Sequence, residues 1–250
     1  MHMSMRMDTE SGAASRIRRL NLPAAASARD PLALVRLLHL VSPALPVGAY
    51  AYSQGLEYAN HAGWIHDEAT TLAWLQGLAE FGVGTLDLPI LARLHAAWSV
   101  ADEGAVRDWN AQLLASRETS ELRAEELHLG RSLARVLVEL QIPEAGAWIH
   151  ARAAYATLFS LAAVRWQIEP GDALRGYLWS WCENQVLAAL KLVPLGQSAG
   201  QRLLHRLSGA IPLIIERAEA LADSDIGIAT VSQAQASARH ESQYTRLFRS

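Results

Sequence analysis

The sequence predicts an all-α fold: a single globular domain of about nine or ten helices with flexible N- and C-terminal tails. Alanine and leucine supply 82 of the 250 residues, whereas valine, isoleucine and threonine supply 31. Ala and Leu are strong helix formers and the β-branched residues favour strands, so the balance points to helices. The chain is 51% hydrophobic and 19% charged, which excludes disorder over most of its length.

Charge and cysteine content exclude several classes of protein. The net charge of −3 gives no bulk attraction to nucleic acid or anionic lipid. Cys182 is the single cysteine, which excludes an internal disulfide, a Cys-rich zinc site and an iron–sulfur cluster. The sequence contains neither an 18-residue apolar run nor the apolar core of an export signal, so we expect a cytoplasmic protein without membrane association.

The first half of the chain divides at helix-capping and helix-breaking residues. Residues 1–29 lack helical periodicity, and we expect a disordered tail there, followed by the helical domain at 30–228. Asp30-Pro31 opens the first helix, and the prolines and glycine of 42–48 end it. A second helix is expected to begin near Tyr52 and to end at Gly63. The next three begin at residues that can cap a helix N-terminus, Asp67, Asp87 and Asp102.

The second half of the chain is divided into helices in the same way. Residues 120–140 carry leucines at helical spacing, and the opposite face carries charges that include Glu125 and Glu126, which predicts a solvated surface. We likewise interpret the alternating charges of 115–123 as solvated surface. A helix around Phe159 precedes one at 172–192. Two more follow, one at 203–207 and one that Ile211-Pro212 begins.

Two segments within the domain are candidates for partner binding. Residues 42–57 combine prolines, glycines and the tyrosines Tyr50 and Tyr52, which predicts either a stiff connector or a rigid aromatic patch for a partner. In the helix at 172–192, Trp179 and Trp181 point to opposite faces, so both sides of this helix should be covered. Its polar residues are Glu183, Asn184 and Lys191. They predict a polar seam that fixes helix register, or the lining of an interface or a water-filled path.

The last segment, 229–250, differs from the domain. It is Ser/Gln/Ala-rich and too polar to pack strongly alone, yet it ends with aromatic, basic and aliphatic residues typical of interface anchors. We interpret it as a tail that orders when it docks on a partner, although a frayed terminus is the alternative. The expected anchors are Tyr244, Arg246, Leu247 and Phe248.

No catalytic or metal-binding motif is visible. The nine histidines form no His-Glu-x-x-His pattern, and the glycine-containing stretches lack the Lys-Ser/Thr of a phosphate-binding loop. Neither a nucleophile motif nor a triad is present, so we expect a non-enzymatic protein with no cofactor and no resident metal site. The alternative function is an all-α protein that holds nickel through scattered histidines.

Four stretches together resemble the urease accessory protein UreF family. They are Ser-Pro-Ala-Leu-Pro-Val-Gly with Tyr-Ser-Gln-Gly-Leu-Glu at 42–57, Leu-Leu-Ala-Ser-Arg-Glu-Thr at 113–119, Glu-Asn-Gln with Lys-Leu-Val-Pro-Leu-Gly-Gln-Ser-Ala-Gly-Gln-Arg-Leu-Leu at 183–204, and the ending 237–250. Ala-Tyr-Ala-Tyr at 49–52 departs mildly from the family pattern. The resemblance extends from about residue 34 to the end of the sequence.

The resemblance implies an all-α cytoplasmic homodimer that binds no nucleic acid. It implies an adaptor between UreD (also called UreH) and the GTPase UreG on apo-urease, which supports GTP-dependent nickel insertion and modulates GTP hydrolysis. It also implies that the tail docks on UreD and that Tyr50 faces the dimer partner or UreG. If an arginine finger exists, Arg246 and Arg239 are the weak candidates, because such a finger must reach the transferred phosphoryl group.

Overall fold

The computed structural model describes residues 30–227 and 230–250, which form helices and no strand. The predicted all-α fold is therefore confirmed, whereas the prediction for residues 1–29 lies outside the described residues. The ten α-helices are α1 Ala33–Leu40, α2 Leu56–His61, α3 Glu68–Leu78, α4 Asp87–Ser99, α5 Glu103–Ala115, α6 Ser120–Glu139, α7 Tyr155–Arg165, α8 Pro170–Leu192, α9 Gln197–Ala220 and α10 Val231–His240. Within the described ranges, every helix is too short or too polar to cross a bilayer.

Helices α4 and α8 form the centre of the bundle. Helix α4 packs against α5, α7, α8 and α9, and α8 packs against α9, α1 and α2 as well. Leu88, Leu94 and Phe159 are completely buried there. The Phe159 ring meets Tyr177 edge-on at a centroid distance of 5.2 Å, an arrangement favoured by aromatic quadrupoles.

Helix starts follow the capping residues of the sequence. Asp67 accepts a hydrogen bond from the Thr70 amide at 2.8 Å and forms a reciprocal capping box with it. Asp102 accepts from the Ala105 amide at 3.0 Å. Each side-chain oxygen satisfies a backbone N–H that the helix leaves without a partner, so the predicted starts of α3 and α5 are confirmed.

The connection between α3 and α4 is one turn of π-helix, Ala79–Val83. Gly84 follows it in a tight place, where a Cβ atom would lie 2.8 Å from the Ala79 carbonyl oxygen and 2.9 Å from Ile214 Cγ2. The lack of a side chain at Gly84 therefore lets the turn approach α9 closely.

Two helix boundaries differ from the sequence prediction. Helix α2 begins at Leu56, four residues after Tyr52, because Gln54 and Gly55 adopt left-handed backbone angles with φ of 54° and 86°. The two helices expected around Pro212 are a single helix, α9. Its buried stripe runs past Pro212 from Leu207 to Ile214 without a break, so packing outweighs the loss of one backbone hydrogen bond.

The charged face of α6 is also different from the prediction. Glu125 and Glu126 are 4% and 6% exposed, and the neighbouring Arg117 is largely buried as well. The interpretation of both charged stretches as solvated surface is therefore wrong at these three residues. Arg117 pairs with Glu126 inside the protein, and Glu125 is bound by Gln54 and Ser250.

The end of the chain packs against the domain. Helix α10 lies on α2 and α6, and residues 241–250, which we name the strap, continue across the same surface. Phe248 and Ser250 are buried. This placement differs from the expectation that the segment packs only weakly on its own, because internal carboxylates supply the partners that its polar groups need.

Candidate functional site

A buried ion cluster joins three separate parts of the fold. Arg117, between α5 and α6, donates through its fork to both carboxylate oxygens of Asp87 at the start of α4. Its Nε and Nη2 atoms also donate to Glu126 Oε2 on α6, at 3.1 and 2.7 Å. Burial alone would lower the pKa of Arg117, but Asp87 and Glu126 raise it well above its usual value, so the guanidinium stays charged.

Neutral groups complete the hydrogen bonding of this cluster. The Tyr177 hydroxyl donates to Asp87 Oδ1 at 3.2 Å, and the Tyr155 amide donates to Glu126 Oε1 at 2.6 Å. Burial, followed by the nearby carboxylates, raises the pKa of both tyrosines. Both phenols are therefore protonated, and the Tyr177 hydroxyl acts as a neutral hydrogen-bond donor.

Glu125 is the carboxyl group that Arg117 does not balance. It accepts hydrogen bonds from Gln54 Nε2 at 2.8 Å and from Ser250 Oγ at 2.9 Å. Burial raises the pKa of Glu125 to about 7, despite those two donors. Its charge therefore changes near neutral pH, at a position where the strap meets the domain.

A cavity of about 150 Å³ lies beside the cluster. Its wall combines Asp87, Arg117 and Glu126 with Tyr50 of the proline-rich segment and Glu183 of α8. A cavity of this size can hold ordered water beside polar groups of this kind. Three of the segments that the sequence analysis singled out therefore meet at one place.

The two tyrosines of the proline-rich segment have different environments. Tyr50 is 69% exposed, whereas Tyr52 is buried with its ring centroid 6.1 Å from that of His128. Burial raises the pKa of Tyr52, although the hydrogen bond with Arg249 opposes that shift. The structure thus leaves Tyr50 available to a partner and uses Tyr52 for packing.

The predicted polar seam on α8 is not one continuous contact. Asn184 donates to the Ala49 carbonyl at 3.2 Å, which holds the proline-rich segment against α8. Lys191 lies 5.3 Å above the centre of the Phe248 ring, a cation–π contact with the strap. Glu183 is half-buried, and burial raises its pKa. No ion pair joins Glu183 to Lys191 in the described parts of the chain.

The strap is held by two carboxylates. Glu57 of α2 accepts from the Leu247 and Phe248 amides at 2.7 and 2.8 Å. Glu121 of α6 accepts from Arg246 Nη1 at 2.8 Å. With Phe248 inside, Tyr244 is fully exposed and Leu247 is 64% exposed. The four expected anchors therefore separate into Phe248 and Arg246, which hold the strap, and Tyr244 and Leu247, which face outward.

An inner hydrogen-bond chain links the strap to α8. The Ser250 carbonyl accepts from the Ser53 amide at 2.8 Å, and Ser250 Oγ contacts Glu125. Gln54 connects Glu125 to Trp181, because its Oε1 atom accepts from Trp181 Nε1 at 2.8 Å. The strap, α6, the proline-rich segment and α8 are thus parts of one network.

The residues that the structure describes leave an apolar face of helix α1 uncovered. Its inner residue Leu37 packs closely on Gly176 of α8, whereas Leu34, Val35 and Leu38 are between 59% and 67% exposed. Adjacent exposed aliphatic side chains of this kind mark interaction surfaces.

Sequence reasoning missed the residues that organise the site, namely Asp87, Arg117 and Glu126 in the cluster and Glu57 and His240 under the strap. A charged residue within an amphipathic helix carries no local sign of burial. The one available signal was that Glu57, Arg117 and His240 lie inside three of the stretches that resemble a known family. Among the described residues, no group of three His, Cys, Asp or Glu side chains is arranged to hold a metal ion.

The Arg117→Met variant should lose roughly 3–5 kcal/mol of unfolding free energy, because Asp87 and Glu126 would remain buried without a cation. Urea denaturation measures this loss. Arg175→Met is the matched control, since its ion pair with Asp172 is about half exposed, and it should cost less than about 1 kcal/mol. Equal losses in the two variants would contradict the structural role of the cluster.

The Glu125→Gln variant should be more stable than the parent chain at about pH 8 and similar to it at about pH 5. The folded state keeps the Glu125 proton up to about pH 7, whereas an unfolded glutamate releases it near ~4.3. The folded state binds more protons between these values, so the unfolding free energy falls as pH rises through them. A difference of roughly 3 kcal/mol is expected at the higher pH.

Urea denaturation at the two pH values measures this difference. Glu139→Gln, at an exposed position on the same helix, is the control and should change little. A Glu125→Gln effect that does not depend on pH would show that Glu125 ionises normally.

The sequence was compared with those of known proteins. Residues 65–208 match the family model for UreF. Proteins named urease accessory protein UreF from Alkalilimnicola ehrlichii and Hahella chejuensis are 50% and 46% identical to this chain over 220 residues. These alignments cover 88% of this chain and 96% and 99% of the relatives. A relative of the same name from an Azoarcus species is 48% identical over 225 residues. The chain belongs to the UreF family of urease accessory proteins.

Proposed function

We propose that this protein is an adaptor in urease maturation that bridges a UreD (UreH) protein and the GTPase UreG on apo-urease. The assembly delivers nickel to the urease active site in a GTP-dependent step, and contact with the adaptor modulates GTP hydrolysis by UreG. Nickel is the cargo of this assembly, and the adaptor acts in the cytoplasm by binding without catalysing a reaction. Family membership supports the general role, and the surfaces described above support the finer assignment.

The strap is the surface we assign to UreD. Its internal anchors hold the backbone in one conformation, so Tyr244 and Leu247 are presented outward without the ordering cost that a free segment would bear on binding. An exposed Tyr beside an exposed Leu supplies apolar contact area together with a polar tip. This pre-organised pair is the observation that carries the proposal.

Tyr50 is the residue we assign to the UreG-facing or dimer-facing side. It is exposed beside the cavity wall formed by Glu183 and Asn184, and Asn184 keeps this segment in place. Arg246 of the strap donates a hydrogen bond to Glu121 of α6. This contact favours a role for Arg246 in positioning the strap over a role as an arginine finger.

The uncovered face of α1 is the surface we assign to the homodimer. A second copy would cover Leu34, Val35 and Leu38 with the same residues of its own α1, as a two-fold symmetric contact requires. Burial of these side chains removes exposed apolar area from water, which stabilises association.

Alanine substitution of Tyr244 or Leu247 should weaken binding to a UreD-type partner by about 30-fold, the equivalent of a ~2 kcal/mol hot spot. Calorimetry or surface plasmon resonance with the purified partner measures the affinity. Val231→Ala, at an exposed aliphatic position at the end of α10 that is far from the strap, should bind like the parent chain. The same variants should reduce nickel-dependent activation of apo-urease in a mixture containing UreD, UreG and GTP. If both variants bound the partner as tightly as the parent chain does, the assignment of UreD docking to the strap would be wrong.

The Leu34→Glu/Leu38→Glu double variant should sediment as a monomer at concentrations at which the parent chain is dimeric, because like charges would face each other across the two-fold axis. Both side chains are exposed, so far-UV circular dichroism should be unchanged. Leu213→Glu, at an exposed position on α9, is the control and should remain dimeric. A parent chain that stays monomeric would contradict the assignment.

A further inference from the structure

His240, the last residue of α10, is enclosed between two carboxylates. Its ring is completely buried. The Nδ1 atom lies 2.7 Å from Glu121 Oε2, and the Nε2 atom lies 3.2 Å from Glu57 Oε2. These are the same two carboxylates that hold the strap, so the ring sits directly beneath it.

Both ring nitrogens of His240 therefore face oxygen atoms that can only accept. A neutral imidazole carries one N–H, whereas the protonated ring carries two. The protonated ring satisfies both carboxylates, but a neutral ring would turn a lone pair toward one of them. Glu57 and Glu121 belong to α2 and α6, the helices that pack on α10, and Arg246 is the other charged group on Glu121.

We propose that the strap is docked by a proton on His240, so that the surface presenting Tyr244 and Leu247 is assembled when the ring is charged and released when it is neutral. When the ring loses its proton, a buried carboxylate loses its partner, and such a group is costly unless it is hydrated. Release of the strap admits water to Glu57 and Glu121 and removes that cost. The link to a partner rests on the proposed function, whereas docking of the strap itself does not.

The proposal predicts a definite dependence on pH. The docked state binds one proton more than the released state, so the docking equilibrium weakens by up to tenfold per pH unit as the pH rises. Glu125 contributes an effect in the same direction, because burial raises its pKa to about 7 and the strap contributes to that burial. The Glu125→Gln variant lacks the contribution of Glu125, so measurements in that variant report the contribution of His240.

Amide hydrogen exchange of the full chain tests the proposal. Protection factors of the Leu247 and Phe248 amides, corrected for intrinsic exchange, would be measured between about pH 6 and about pH 9, a range that includes the ordinary histidine pKa of ~6.5 and extends well above it. In Glu125→Gln, they should fall by up to tenfold per pH unit. In Glu125→Gln/His240→Gln, they should be low and nearly independent of pH. His205→Gln in the same background, at an exposed position on α9, should retain the slope of Glu125→Gln.

A second measurement keeps the proposal testable if His240→Gln disturbs α10. Nitrogen chemical shifts of the His240 ring in the parent chain should report two N–H groups while the Leu247 and Phe248 amides are protected. A neutral ring with the strap still docked, or equal pH slopes with and without His240, would overturn the proposal. If Tyr244→Ala did not weaken partner binding, only the proposal of UreD docking would be contradicted. The proposal that a protonated His240 docks the strap would be unaffected.

Discussion

The interaction on which the structure depends most is the contact of Arg117 with Asp87 and Glu126. It connects the start of α4, the middle of α6 and the loop before α6 through a single guanidinium. A buried ion pair adds little net stability compared with apolar packing, because desolvation offsets much of the attraction. Its contribution here is positional, because Arg117 joins α6 to the start of α4, and α6 also carries Glu121 and Glu125, which contact the strap.

Helix α6 therefore transmits the geometry of the core to the surface. Glu126 faces the cluster, and the adjacent Glu125 faces Gln54 and the strap. Gln54 adopts a left-handed backbone conformation, which costs a non-glycine residue on the order of 1–3 kcal/mol. Its side-chain bonds to Trp181 and Glu125 offset that cost. The strained residue thus stands where the core network and the strap network meet.

Local sequence signals were sufficient for most of the helical framework. The caps Asp67 and Asp102 act on their own first turns, so no tertiary information is needed to recognise them. The buried charges could not be found in this way, because the local pattern around Glu126 is the same whether Arg117 or water is its partner. Pro212 was misread for a related reason, since the burial that keeps α9 intact comes from helices distant in sequence. The sequence predicted Tyr244 and Leu247 as interface anchors, and both are exposed, but it gave no sign of the internal support of the strap.

The buried carboxylates of this protein use their oxygen atoms to accept hydrogen bonds from internal donors. Glu57 binds two backbone amides and His240, while Asp87 binds a guanidinium and a phenol. A general base needs a lone pair directed at a substrate proton, and these carboxylates direct theirs at internal donors. The same occupancy makes the conformation of the strap depend on each of these donors, and the number of N–H groups that His240 offers depends on whether its ring is protonated. A surface built on such a support can be altered by one proton without any change in the residues that a partner touches.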